Sequence, residues 1–142
     1  MHDEQTLTSN MELILVGPDG VVKKTVRCHN TVKTAGKDGA ADQILASPSL
    51  NKPTHMGIGS GTPGATALGT ELDRNAFTTK TRTGAVVTMI GNWAAADGTG
   101  TITEAGLFDA ASTGNMWCCA NFTGIVKEAG DTLQITWTLT VA

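Results

Sequence analysis

The stretch that most constrains the fold runs from Thr132 to Val141. Leu133, Ile135, Trp137, Leu139 and Val141 alternate there with Thr132, Gln134, Thr136, Thr138 and Thr140. Successive side chains of a strand point to opposite faces, so a period of two puts one face in a core and leaves the other presenting hydroxyls. Wound as a helix, the same residues would spread their apolar groups around the axis. The stretch therefore predicts a long strand in an antiparallel sheet, and the rest of the chain must supply that sheet.

It does so at the spacing of an all-β domain. Met11–Val16 and Val21–Cys28 read as a hairpin across Gly17-Pro18-Asp19-Gly20, where Pro presets φ and Gly accepts a positive one. Met56 and Ile58 suggest a short buried strand. Thr78–Thr83 reads as a polar edge strand and Ala85–Trp93 as a more central one. Ile102–Phe108 and Met116–Phe122 follow. Ala35–Ala46 is the best helix, with Ala41, Ile44 and Leu45 on one face and Ser47-Pro48 as its stop. A helical turn is expected over Ala67–Asp73, with Leu68 and Leu72 facing inward. The fold class is mainly β: a single-domain antiparallel β-sandwich, or partly open barrel, of about eight strands with one short helix inserted after the first hairpin. Residues 1–10 read as a polar N-terminal arm and 11–142 as the one domain.

Composition limits what such a domain does. Only 16% of the 142 residues are charged, and Thr, Ala, Gly, Ser and Asn fill the deficit. Interface cores are depleted of charge, so this surface suits a protein covered by partners. Ten Lys and Arg against thirteen Asp and Glu form no basic stripe, which excludes direct nucleic-acid binding as an expectation. No apolar run approaches the ~18 residues of a membrane span. The start, Met1-His2-Asp3-Glu4, lacks the marks of a signal peptide, so synthesis in a cytoplasm is expected.

The residues of chemistry are scattered. His2, His29 and His55 have no close-spaced metal-ligand partner, and Cys28, Cys118 and Cys119 match no zinc pattern. No metal, cofactor or catalytic residue is expected, and the chain reads as non-enzymatic. Gly57-Ile58-Gly59-Ser60-Gly61-Thr62-Pro63-Gly64 lacks the Lys-Ser/Thr of a phosphate-binding loop, and Pro63-Gly64 interrupt any helix it would open. It reads as a close backbone approach. Adjacent cysteines on a strand point to opposite faces. If Met116, Cys118, Ala120 and Phe122 face the core, Cys119 shares the outer face with Trp117. Trp117 is then an interface anchor, and Cys119 is free to form a disulfide to a neighbouring subunit. Trp93 and Trp137 read as core. Glu104 lies inside an apolar strand, where a buried charge needs a partner, and a structural ion pair with Arg74, or with Arg82, is expected.

Gly57–Gly61, Ala67-Leu68-Gly69-Thr70-Glu71-Leu72-Asp73-Arg74, Ile102-Thr103-Glu104-Ala105-Gly106-Leu107-Phe108-Asp109, Asn121-Phe122, Lys127 and the Thr-alternating last strand together resemble a family of small tailed-bacteriophage virion proteins. The segment from Glu104 to Lys127 is also similar to the N-terminal docking domain of phage tail-collar fibre proteins. The resemblance covers roughly residues 11–142 and is most specific over 102–139. It implies a structural role in the virion, oligomerisation and no enzymatic activity. Collar fibres continue into a shaft, whereas this sequence stops at Ala142, which turns the expectation toward a capsid decoration (cement) protein. Its partners are then the major capsid protein and further copies of itself, in a homo-oligomer such as a trimer. The alternatives are a tail, baseplate or fibre-attachment protein and, further off, a carbohydrate-binding host-adhesion module, against which the 4% aromatic content counts. The expected contact residues are the arm from Asp3 to Asn10, the loop at Gly59, Ser60 and Gly61, and Trp117 and Cys119.

Overall fold

The computed structural model describes residues 7–141. Nine strands and one helix follow in the order β1 (Leu7–Val16), β2 (Val22–Val32), α1 (Thr34–Asp42), β3 (His55–Gly59), β4 (Glu71–Ala76), β5 (Thr79–Thr83), β6 (Val86–Trp93), β7 (Gly100–Phe108), β8 (Met116–Lys127) and β9 (Thr132–Val141). All strand pairs are antiparallel and form one curled sheet, a half-barrel, ordered β4-β3-β7-β8-β2-β1-β9-β6-β5. Among the described residues the two halves of the sheet are paired where Thr31 and Val32 of β2 meet Cys119 and Cys118 of β8.

Curling brings the two halves to face each other over one core. β1 supplies Met11, Leu13 and Leu15, and β9 supplies Leu133, Ile135, Trp137 and Leu139, at every second position as the alternation requires. Ile58, Trp93, Ile102 and Leu107 meet them from the other strands. Trp137 fills the centre, and its Nε1–H donates to Ser9 Oγ at 2.6 Å. The expected mainly β class with one short helix is what the chain adopts, with Trp93 and Trp137 in the core and β5 at a sheet edge.

Four local expectations are corrected. The segment expected to make a helical turn over Ala67–Asp73 instead enters β4, paired to β3 from His55↔Ala76 to Gly59↔Glu71, which brings the expected count of about eight strands to nine. Leu68 is buried as expected, but Leu72 is 38% exposed. The first strand begins at Leu7, so Leu7–Asn10 belong to the sheet, with Asn10 paired to Thr138 and His29, and not to an arm. The helix ends at Asp42. It buries Gly36, Gly39 and Asp42, while Ile44 and Leu45 are 87% and 58% exposed. The cause is the bare face at Gly36 and Gly39. A Cβ on Gly39 would stand 2.1 Å from the Trp117 ring, and one on Gly36 2.4 Å from the Trp117 carbonyl oxygen. Two glycines on one face thus let the helix lie directly on β8. Asp42 then ends it, since its carboxylate accepts from Leu50 N–H (2.9 Å), Ser49 N–H (3.2 Å) and Ser49 Oγ (3.3 Å) and bends the chain back.

Candidate functional site

β7 is buried on both faces. Ala105 and Leu107 point into the half-barrel, whereas Glu104, Gly106 and Phe108 point outward, beneath the loop that joins β3 to β4. That loop folds over a row of small residues. Gly57 and Gly106 are paired, and a Cβ on either would lie 3.0 Å from the Phe108 ring and 3.3–3.4 Å from Leu68. Leu68, Phe108, Met116 and Cys119 therefore form a second apolar cluster on the outside of the sheet.

Glu104 holds this layer down. It is fully buried, and its carboxylate takes three backbone donors of the loop. Gly61 N–H and Thr70 N–H both donate to Oε2, and Gly69 N–H donates to Oε1, each at 2.8 Å. A charged acceptor roughly doubles the strength of such bonds, and three of them satisfy a buried carboxylate without a cation. The glycines follow from the close approach: a Cβ on Gly59 would stand 2.4 Å from Oε2, and one on Gly61 2.7 Å from Thr70 N. Thr103 Oγ1 adds a bond to Gly61 O at 2.7 Å, and Ser60, exposed at the tip, donates its N–H to Thr70 O at 2.9 Å.

The expected Glu104–Arg74 ion pair is accordingly not formed. Arg74 Nη2 pairs with Glu71 at 2.6 Å, its guanidinium stacks 3.5 Å above the Phe108 ring, and Nη1 donates to the Ala110 and Thr113 carbonyls. Sequence reasoning missed that a Gly-rich loop supplies unpaired N–H groups in number, which makes it as good a partner for a carboxylate as an arginine.

Trp117 and Cys119 are not exposed: they retain 5% and 6% of their surface. Phe108 pairs with Met116 while Leu107 pairs with Cys118, which leaves Trp117 as the extra residue of a β-bulge. The bulge turns Trp117 inward with Cys118 and Ala120, under α1, and turns Met116 outward with Cys119. Burial pushes the Cys119 thiol up and the Cys118 thiol up to about 12. An inter-subunit disulfide through Cys119 would first need the Leu68 cluster opened. Asp3 lies outside the described residues. Asn10 is exposed, its Oδ1 2.5 Å from His29 Nδ1, in a shallow groove of about 530 Å³ over β2, β1 and β9 that is shared with Glu12, Arg27, Thr136 and Thr138.

The outer face of the other half-sheet is open. Cross-strand pairs place Thr81, Thr88 and Thr138 in one row with Asn10, and Thr79, Ile90 and Thr136 in the next with Glu12. Its acid–base pair, Glu12 with Arg27 at 2.7 Å, is internally neutralised. Among the described residues no three His, Cys, Asp or Glu side chains are grouped to hold a metal ion, and no helix is long and apolar enough to cross a membrane. Lys127, also unforeseen, is fully buried at the base of the core and donates to Ala94 O at 3.0 Å. Ile125 and Lys127 share the inward register of β8, which is the signal that could have revealed it.

No family model, curated protein or solved structure matches this chain.

Proposed function

We propose that this chain is a non-enzymatic structural subunit of a bacteriophage virion, and that it serves as a decoration protein which binds the head shell as an oligomer. The observation that carries the reading is the outer face of β5-β6-β9-β1. Five strands there, counting β2, about 4.8 Å apart and ~27 Å long, offer about 600 Å², close to the ~800 Å² per partner of a standard interface. The face is Thr-rich and almost free of net charge, with half-buried Ile14, Val16 and Ile90 among the hydroxyls. Such a face desolvates at little electrostatic cost, as a docking surface requires.

The segment that carries the likeness to virion proteins supports a rigid platform behind that face. Glu104 clamps the β3–β4 loop, Gly106 gives Leu68 its seat, and Phe108 lies under Arg74. Asp109 accepts from Asn115 N–H (2.8 Å) and Nδ2 (3.0 Å) and closes the β7–β8 turn. These residues are occupied in holding structure. The same unit favours a second reading, attachment within a tail or baseplate, because its likeness extends to collar-fibre docking domains.

Immunogold electron microscopy of purified virions separates the readings. Gold spread over the head is the result expected for decoration. Gold confined to the tail, neck or baseplate moves the chain to the second reading, and particles without gold refute both.

A further inference from the structure

The exposed apolar residues are not scattered. Of eight large ones among the described residues, Ile44, Leu45 and Leu50 follow α1, and Val21, Val22, Leu72 and Val126 lie at the opposite end of the strands, with Val141 ending β9. The two ends are set by β7. Its Phe108 end carries the β7–β8 turn and, through β8, α1; its Gly100 end touches Leu72 and pairs with Lys127 beside Val126. Nine residues of strand hold these ends about 27 Å apart. We propose that the two ends are complementary halves of one interface, and that the partner is a second copy of this chain stacked head to tail. The proposal rests on the oligomer named above, and it specifies that oligomer's contacts.

Two observations support it. The first is preorganisation. The segment that presents Ile44, Leu45 and Leu50 is tied by Asp42 to Ser49 and Leu50, so these side chains are held out on a fixed loop and lose little freedom on docking. The second is charge. At the α1 end the exposed ionic groups include Lys37, Lys52, Lys80 and Arg82 against Asp38. At the other end Asp19, Asp97 and Glu128 are exposed against Lys23 and Lys24; Lys23 pairs with the buried Asp131 at 2.8 Å and with Glu128 at 3.6 Å, which leaves Asp19 and Asp97 against Lys24. Basic flanks around one apolar end and acidic flanks around the other steer unlike ends together and like ends apart. A two-fold dimer joined end to end would set like charges against each other. Unlike ends facing opposite ways make a heterologous contact, which continues into a stack or closes into a ring.

Sedimentation velocity of the purified full-length chain tests this independently of any virion. One variant carries Ile44→Gln and Leu45→Gln, and a second carries Val22→Gln and Val126→Gln. All four positions are exposed, and unchanged thermal unfolding checks that each variant folds. Wild type is expected to associate beyond the dimer as concentration rises, less so at high salt. Each variant alone is expected to stay monomeric, and an equimolar mixture of the two to stop at the dimer, since it retains one intact head and one intact tail. A monomeric wild type, a single variant that still dimerises, or a mixture that stays monomeric overturns the proposal. Gold labelling of virions does not bear on any of these outcomes, so loss of the virion reading and loss of the stack are distinguishable.

Discussion

Replacing Glu104 with Ala should detach the loop over residues 60–70 before it unfolds the sheet. The substitution removes the acceptor of three backbone N–H groups, each bonded at 2.8 Å. A buried donor left without a partner costs about 1–3 kcal/mol, which gives ~3–9 kcal/mol if the loop stayed in place. It need not stay. Ser60 through Ala67 lie at the surface, and the loop can lift and return its donors to water at the cost of exposing Leu68 and part of Phe108, worth about 1.5–3 kcal/mol for each side chain fully uncovered. The smaller route sets the effect, so the expected global loss is about 3–4 kcal/mol. Glu104→Gln is milder and informative: an amide oxygen at the Oε2 position still serves Gly61 and Thr70, while the amide nitrogen faces the Gly69 N–H and repels it. Its expected cost is about 1–3 kcal/mol. Urea denaturation measures the totals, and amide hydrogen exchange locates them. In Glu104→Ala the Gly61, Gly69 and Thr70 amides should exchange far faster while amides of the β1–β9 ladder keep their protection. A loss under about 0.5 kcal/mol, the level of ordinary surface substitutions, with unchanged exchange at those three amides would refute the clamp.

Gly39→Val should push α1 off β8, because the new side chain starts 2.1 Å from the Trp117 ring; a loss of about 1–3 kcal/mol and an altered near-ultraviolet dichroism of Trp117 are expected. With Ellman's reagent at pH 8, native protein should label slowly and at Cys28 first, since Cys118 is raised to about 12 and Cys119 is raised and buried, whereas denatured protein should label at all three thiols. Fast labelling of Cys119 would refute its burial. Stability should fall on both sides of neutrality. Asp131 and Asp42 are held below the usual carboxylate range, Asp131 first by its bond from Lys23 and Asp42 first by that from the Leu50 N–H, so what they contribute is present above the unfolded value near pH ~3.9 and is lost as pH falls through the folded one. Lys23 is raised by Asp131, so its contribution is complete below its unfolded value near pH ~10.4 and is lost as pH rises through the folded one; Asp131→Asn should flatten both limbs of a stability–pH profile measured by denaturant midpoint.

How much of this was legible follows from which residues have one environment and which have two. β9 alternates cleanly because one face meets the core and the other meets water, and its ten residues stand as read. The hairpin of β1 and β2 was equally plain from Gly17-Pro18-Asp19-Gly20, although pairing with β9 carries the first strand four residues further, to Leu7. The helix was misjudged because hydrophobic spacing was weighed above small residues. Ile44 and Leu45 satisfy a helical period, yet the contact surface is made by Gly36 and Gly39, which have no hydropathy to detect. Of the expected contact residues, Ser60 and Asn10 are exposed, while Gly59, Trp117 and Cys119 are buried.

The errors at Trp117, Cys119 and Glu104 share one cause. On β7 and the first half of β8 both faces are covered, the inner by the half-barrel core and α1 and the outer by the β3–β4 loop, so apolar residues run on without alternation and no face can be assigned by counting in twos. A bulge at Trp117 then shifts the register once more, and a one-residue shift exchanges the two faces. Within such a doubly covered strand a carboxylate cannot reach water, so its partner must come from whatever lies over it. At Glu104 that is the backbone of residues 61–70, a polymer of donors with no side-chain identity to recognise in advance. The same reasoning runs in reverse for Gly57-Ile58-Gly59-Ser60-Gly61. A Gly-rich loop with no anion of its own to cradle, next to a strand that carries one buried acid, is completed by that acid, and the phosphate-like concavity it offers is already filled by the protein's own Glu104.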